Sequence, residues 1–140
     1  MHTNKYPVTP YNKWPHDEFA RWVRVGNNFG AHLIEGVRDE AVRAACNKGV
    51  PSDQAEKVVD LTMATFMAFL DGVIGYRDID ERHTMEYVLQ AKVIDKSVGS
   101  TNEKVVETFE LAPEGDGLGM GLAGWLQGDF GQGRDKQPEA

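Results

Sequence analysis

Apolar residues along this chain recur every three or four positions up to about Gly75 and every second position beyond it. The first spacing marks one face of a helix, the second one face of a half-buried strand. Phe19, Trp22, Gly26, Phe29, Leu33, Val37 and Ala41 follow one another at helical spacing within a region from about His16 to Lys48. Pro15, Asp17 and Glu18 suit its start, and Gly49 with Pro51 suits its end. The segment Gly26-Asn-Asn-Phe-Gly30 is poor helix material and predicts a kink or short break. A second helix follows, with Ser52 as N-cap and a stripe of Val59, Met63, Phe66, Leu70 and Val73. From Leu61 onward most of its positions are apolar, so it is expected at the centre, covered by more than one neighbour. Gly72 and Gly75 sit where it should stop.

Tyr76 to Thr84 reads as a charged connector. Met85, Tyr87, Leu89, Ala91 and Val93 then alternate with Glu86, Val88, Gln90 and Lys92, the pattern of a strand. A second strand is expected from Lys104 to Leu111, with Val105, Phe109 and Leu111 on one face. The turn-rich stretch between them makes the pair an antiparallel hairpin. Runs of helix followed by runs of strand give an α+β fold, two long helical segments packed on a small antiparallel sheet in a single domain. Two strands alone are marginal in water, so a third is expected from Leu118–Leu126, from the N-terminal arm or from a second subunit. Residues 1–15 carry Pro7, Pro10 and Pro15 among Tyr6, Tyr11 and Trp14. Proline removes donors and fixes φ, so this segment is an extended arm lying across the domain or a neighbouring subunit. The domain proper occupies residues 16–127, and residues 128–140 form a glycine-rich, flexible C-terminal tail.

The pattern offers few catalytic constellations. Gly119-Met-Gly-Leu-Ala-Gly124 is formally a G-x-G-x-x-G, but it does not open a first βαβ unit, so a nucleotide is not expected. Its apolar residues, with Trp125, fit a strand that another backbone approaches closely or equally a helix face. His32 and Glu35 lie one helical turn apart, and Glu81 and His83 in the connector could join them. Such a set could form a mononuclear metal site or a general acid–base pair, so His32, Glu35 and His83 are the catalytic candidates. A weaker alternative is a small-molecule sensor with an apolar pocket between Trp22, Phe66 and Trp125. Cys46, the single cysteine, reads as a small core residue, and Ser97 and Ser100 as turn residues. No metal or cofactor is implied.

With 140 residues the chain is one domain by size, and 41% hydrophobic and 26% charged residues are ordinary for a globular protein. A formal net charge of −7 and a pI near 5.0 repel phosphate backbones, so nucleic acid is not an expected partner, whereas a basic protein would be attracted. The longest apolar run, Leu61 to Ile74, is too short to span a bilayer, and no apolar leader is visible, so a cytoplasmic location is the expectation. The leading functional reading is a non-enzymatic protein-binding module of inhibitory or immunity type, acting as a homodimer. Its expected contact residues are Leu118, Met120, Leu122, Trp125, Tyr11 and Trp14.

Overall fold

The computed structural model describes residues 8–73, 75–98, 104–111 and 117–131. It is an α+β fold of three helical rods and two small antiparallel sheets. The first rod is a continuous 30-residue helix: α1 (Glu18–Leu33), a π turn (Ile34–Arg38) and α2 (Asp39–Asn47). Asp17 caps it, its Oδ2 accepting the Ala20 N–H at 2.8 Å. Where a kink or short break is expected, at Gly26–Gly30, α1 runs on without a break. Gly30 is buried against the indole of Trp125, and a Cβ built there would lie 2.2 Å from that ring. Asn27 accepts the indole N–H of Trp125 at 3.1 Å. These weak helix formers therefore serve tertiary packing, which overrides local propensity. The irregularity falls instead at the π turn, after which Arg38 meets Asp60 of α3 with Nε 2.8 Å from Oδ1.

The third stretch of helix, α3 (Ser52–Leu70), begins after Pro51, which occupies the cap position. Ser52 makes no capping bond, contrary to the sequence expectation; it is the first helical residue. Ala55, Met63 and Met67 are buried, with Val59 and Leu70 half-buried beside them. Phe66 and Val73, expected in that stripe, are exposed, because the buried face is centred on Met67. Nor is α3 covered all round: it packs on α2, the π turn and α4 (Gly117–Trp125) along one side only. Its end is a Schellman motif, with the Val73 N–H on the Ala68 carbonyl and the Gly72 N–H on the Phe69 carbonyl. Gly72 has a φ of +78°, which the left-handed region allows glycine at little cost.

Inside the expected charged connector lies a minimal hairpin, β1 (Arg77–Asp78) with β2 (Thr84–Met85). The main pair is β3 (Gln90–Asp95) with β4 (Lys104–Glu110), antiparallel with Ala91 opposite Phe109. β3 begins at Gln90, not at Met85, and the ladder extends one bond further through the Leu111 N–H to the Leu89 carbonyl. A register irregularity at Val93/Ile94 leaves Val106 without an opposing residue. Phe109 and Leu111 are buried as expected, whereas Val105 is exposed. Among the described residues no third strand joins this pair. Its inner face closes on helices, because the stretch from Gly117 to Trp125 is the helix α4. Leu118, Leu122 and Trp125 of α4 sit in one core with Val25, Ile34, Met63 and Met67. The expected tail also starts inside the fold, since Phe130 and Gly131 are buried; residues 132–140 lie outside the described set, as do residues 1–7 of the arm.

One buried charged side chain joins the long helices to α4. Asp71 ends α3, and its carboxylate accepts the Leu118 N–H at Oδ1 (3.1 Å) and the Gly119 N–H at Oδ2 (2.7 Å). The first N–H groups of any helix lack internal partners, and a negative charge there also suits the helix dipole. Asp71→Ala should therefore cost about 2–4 kcal/mol, the sum of two charge-assisted bonds and two orphaned donors. The expected result is a clear fall in the urea midpoint; an unchanged midpoint would refute the role. Gly30→Ala and Gly26→Ala should differ in sign. The first forces a methyl into Trp125 and should destabilise by about 1–3 kcal/mol, whereas Gly26 has nothing within 4 Å and alanine there should stabilise by about 0.5–1 kcal/mol. Thermal unfolding of the two variants side by side checks this.

Candidate interaction surface

The side of α3 turned away from the core has an unusual composition. Val58, Leu61, Thr62, Thr65, Phe66 and Phe69 share one arc of about 140° at 100° per residue, and no charged residue falls within it. Val58, Leu61, Phe66 and Phe69 are between 39% and 68% exposed, and Val73 just beyond the helix is 70% exposed. The two threonines are also chemically closed. The Thr62 hydroxyl donates to the Val58 carbonyl at 2.7 Å and the Thr65 hydroxyl to the Leu61 carbonyl at 2.8 Å. Their hydrogen atoms are thus used within the helix. Phe66 and Phe69 stack at 6.1 Å between centroids, and Phe69 stacks on Tyr87 at 5.1 Å, so the apolar strip continues off the helix onto the segment before β3. Large contiguous apolar patches are uncommon on soluble monomers and mark interaction sites.

The N-terminal arm, whose residues from Val8 onward are described, lies across its own domain. Arg21 of α1 is its anchor. The guanidinium forms a bidentate pair with Glu107 of β4, with Nε 3.1 Å from Oε2 and Nη2 on Oε1, and donates to the Pro15 carbonyl at 2.9 Å. It also stacks near the rings of Tyr11 and Trp14, 5.1 and 5.4 Å from their centroids. The Tyr11 hydroxyl donates to the same Glu107 carboxylate, and the Trp14 indole to the Thr9 carbonyl. Arg21 and Tyr11 together hold the Glu107 carboxyl below its usual range, with the Arg21 bond the larger cause.

The remaining candidate residues are spread over the molecule. His32 is exposed on the last turn of α1, against Gly36, and Glu35 is half-buried in the π turn. His83 lies in the β1–β2 turn, its Nδ1 2.8 Å from Oδ1 of Asp80. The Arg82 backbone N–H, followed by His83, keeps the Asp80 carboxyl below its ordinary value. Among the described residues no group of three or more His, Cys, Asp or Glu side chains is placed to hold a metal ion. Of the expected contact residues, Leu118, Leu122 and Trp125 are buried in their own core, Trp14 is half-buried, Tyr11 is exposed and Met120 is 74% exposed. Trp22 donates its indole N–H to the Glu110 carbonyl at 2.7 Å, while Phe66 faces outward and Trp125 is buried. Cys46 is half-buried on α2. No described helix is long and apolar enough to cross a membrane.

The outer face of α3 escaped the reading of the sequence, although a signal was present. Val58, Leu61, Thr65 and Phe69 form a second series at spacings of three and four beside the buried one. Two apolar series on one helix, with neighbours along only one side, leave one of them uncovered. No protein-family model, curated protein or solved structure matches the chain, so its function rests on the geometry alone.

The Arg21–Glu107 pair predicts an acid-sensitive arm. The folded-state pKa of Glu107 is depressed, so its contribution is complete above the unfolded value of about 4.3 and is lost as the pH falls through the folded value. Both side chains are partly exposed, which limits the contribution to about 1 kcal/mol near neutrality. Glu107→Gln should lower stability by that amount at pH 7 and narrow the gap to the wild type below pH 4. Denaturant titrations at the two pH values test this, and a constant gap would exclude it.

Proposed function

We propose that this chain is a non-enzymatic protein-binding module whose working surface is the outer face of α3 and the adjoining Phe66–Phe69–Tyr87 ladder. The carrying observation is that this face is broad, apolar, free of charge and closed in its hydrogen bonding. Cores of protein interfaces have this character, depleted in charge and enriched in aromatic residues. The net charge of −7 supports protein over nucleic acid as the partner class and favours a basic protein where charged surface takes part. Assembly as a homodimer belongs to the same reading. An inhibitory or immunity-type role, in which a small acidic protein occupies another's surface, would draw on the charged surface outside this face.

A photoreactive phenylalanine analogue tests the reading in the producing cells. Placed at Phe66 it should capture protein adducts on irradiation, whereas the same residue at Arg43, exposed on α2, should not. Equal capture at both positions would remove the outer face of α3 as the working surface.

A further inference from the structure

We infer that the partner of the α3 face is a second copy of this chain, the two α3 helices packing against each other about a two-fold axis. This rests on the protein-binding reading of that face and names its occupant. The argument begins with what is not available to cover it. The segments outside the described residues are Met1 to Pro7, Ile74, Gly99 to Glu103, Ala112 to Asp116 and Gln132 to Ala140. Beyond Met1, Tyr6 and Ile74 they contain no large apolar side chain, so none of them supplies a matching stripe. No segment of these 140 residues therefore supplies the cover. A bilayer surface is a poor candidate, because an interfacial helix normally carries cations on its polar face and this chain is acidic.

A second copy meets each requirement of the face. Two acidic chains repel wherever their charges meet, but here the arc from Val58 to Phe69 carries none, so like can meet like. A two-fold interface brings the same patch to itself, and an apolar helical stripe is self-complementary when two helices pack side by side. Thr62 and Thr65, with their hydroxyls bonded inside the helix, enter a dry contact without stranding a donor. The area also suffices. Val58, Leu61, Phe66, Phe69, Val73 and Tyr87 expose together on the order of 600 Å² per copy, so a pair that covered them completely would bury up to about 1,200 Å² from these side chains, the lower end of specific protein interfaces. Homodimer interfaces are the more apolar class, as this one would be.

Sedimentation velocity of the full chain from 1 to 100 μM, beside the variants Leu61→Glu and Phe66→Glu, tests the inference. The wild type should sediment as a dimer, and each variant should weaken the association at least about 100-fold, because two-fold symmetry brings two carboxylates into one apolar contact. Both positions are exposed, so far-UV circular dichroism and the thermal midpoint of the diluted protein should stay near wild type. Thr65→Cys in a Cys46→Ser background supplies a second readout: mild oxidation should give a disulfide-linked dimer, which the same change at Glu40 on α2 should not. A wild type that stays monomeric throughout overturns the inference, as does a dimer that both charged variants leave intact. If the wild type is monomeric while the photoreactive residue at position 66 still captures another protein, the binding surface stands and only its occupant is refuted. If it is monomeric and captures nothing, both readings fall.

Discussion

The bond from Asp71 to α4 is the constraint on which the rest of the structure depends. A carboxylate at the end of α3 stands against the negative pole of its own helix, which is unfavourable. It is offset by the positive pole of a second helix, whose first N–H groups at Leu118 and Gly119 converge on its two oxygens. Because the donors belong to the backbone, the contact fixes the position of α4 and not merely of a side chain. With α4 in place, Leu118 and Leu122 enter the core and Trp125 reaches the notch at Gly30. The remainder of the core assembles around these contacts, including the inner residues of β3 and β4.

The same arrangement explains why α3 is left half bare. Its inner side is saturated by α2, the π turn and α4, and the sheet closes on the core from elsewhere. A helix with two apolar sides in a domain of this size has only one of them covered. Ion pairs frame the arrangement without driving it. Arg38 with Asp60 ties the first helical rod to α3, and Arg21 with Glu107 ties α1 and the arm to β4. Each is partly exposed, so each orients more than it stabilises.

Much of the fold was readable from spacing. The α+β class, the antiparallel pairing of the two main strands and the stop at Gly49 follow from periodicity and from turn chemistry. Elements whose conformation depends on remote partners were not readable. Nothing local says that Gly26-Asn-Asn-Phe-Gly30 stays helical, because the reason is an indole 98 positions from Asn27. Nothing local makes Gly117 to Trp125 a helix rather than a strand, because its four glycines disfavour both and Asp71 decides between them. The interaction surface was hidden for a related reason. Periodicity shows that Phe66 lies on an apolar face, but which apolar face is covered depends on where the neighbouring helices dock.

The distance along the chain between Gly30 and Trp125 has a consequence during synthesis. A ribosome adding about 5–20 residues per second needs about 5–20 s to go from one to the other. Until Trp125 is made the notch on α1 has nothing to close on, and once α3 is complete it has α2 and the π turn beside it but not α4, while its outer face is bare as well. Contacts so remote in sequence also slow the search for the native topology. The nascent chain therefore passes through a window in which α3 exposes apolar residues on two sides at once. Apolar surface left open in this way is prone to association, so the order of synthesis bears on the chain's fate before the finished fold exists.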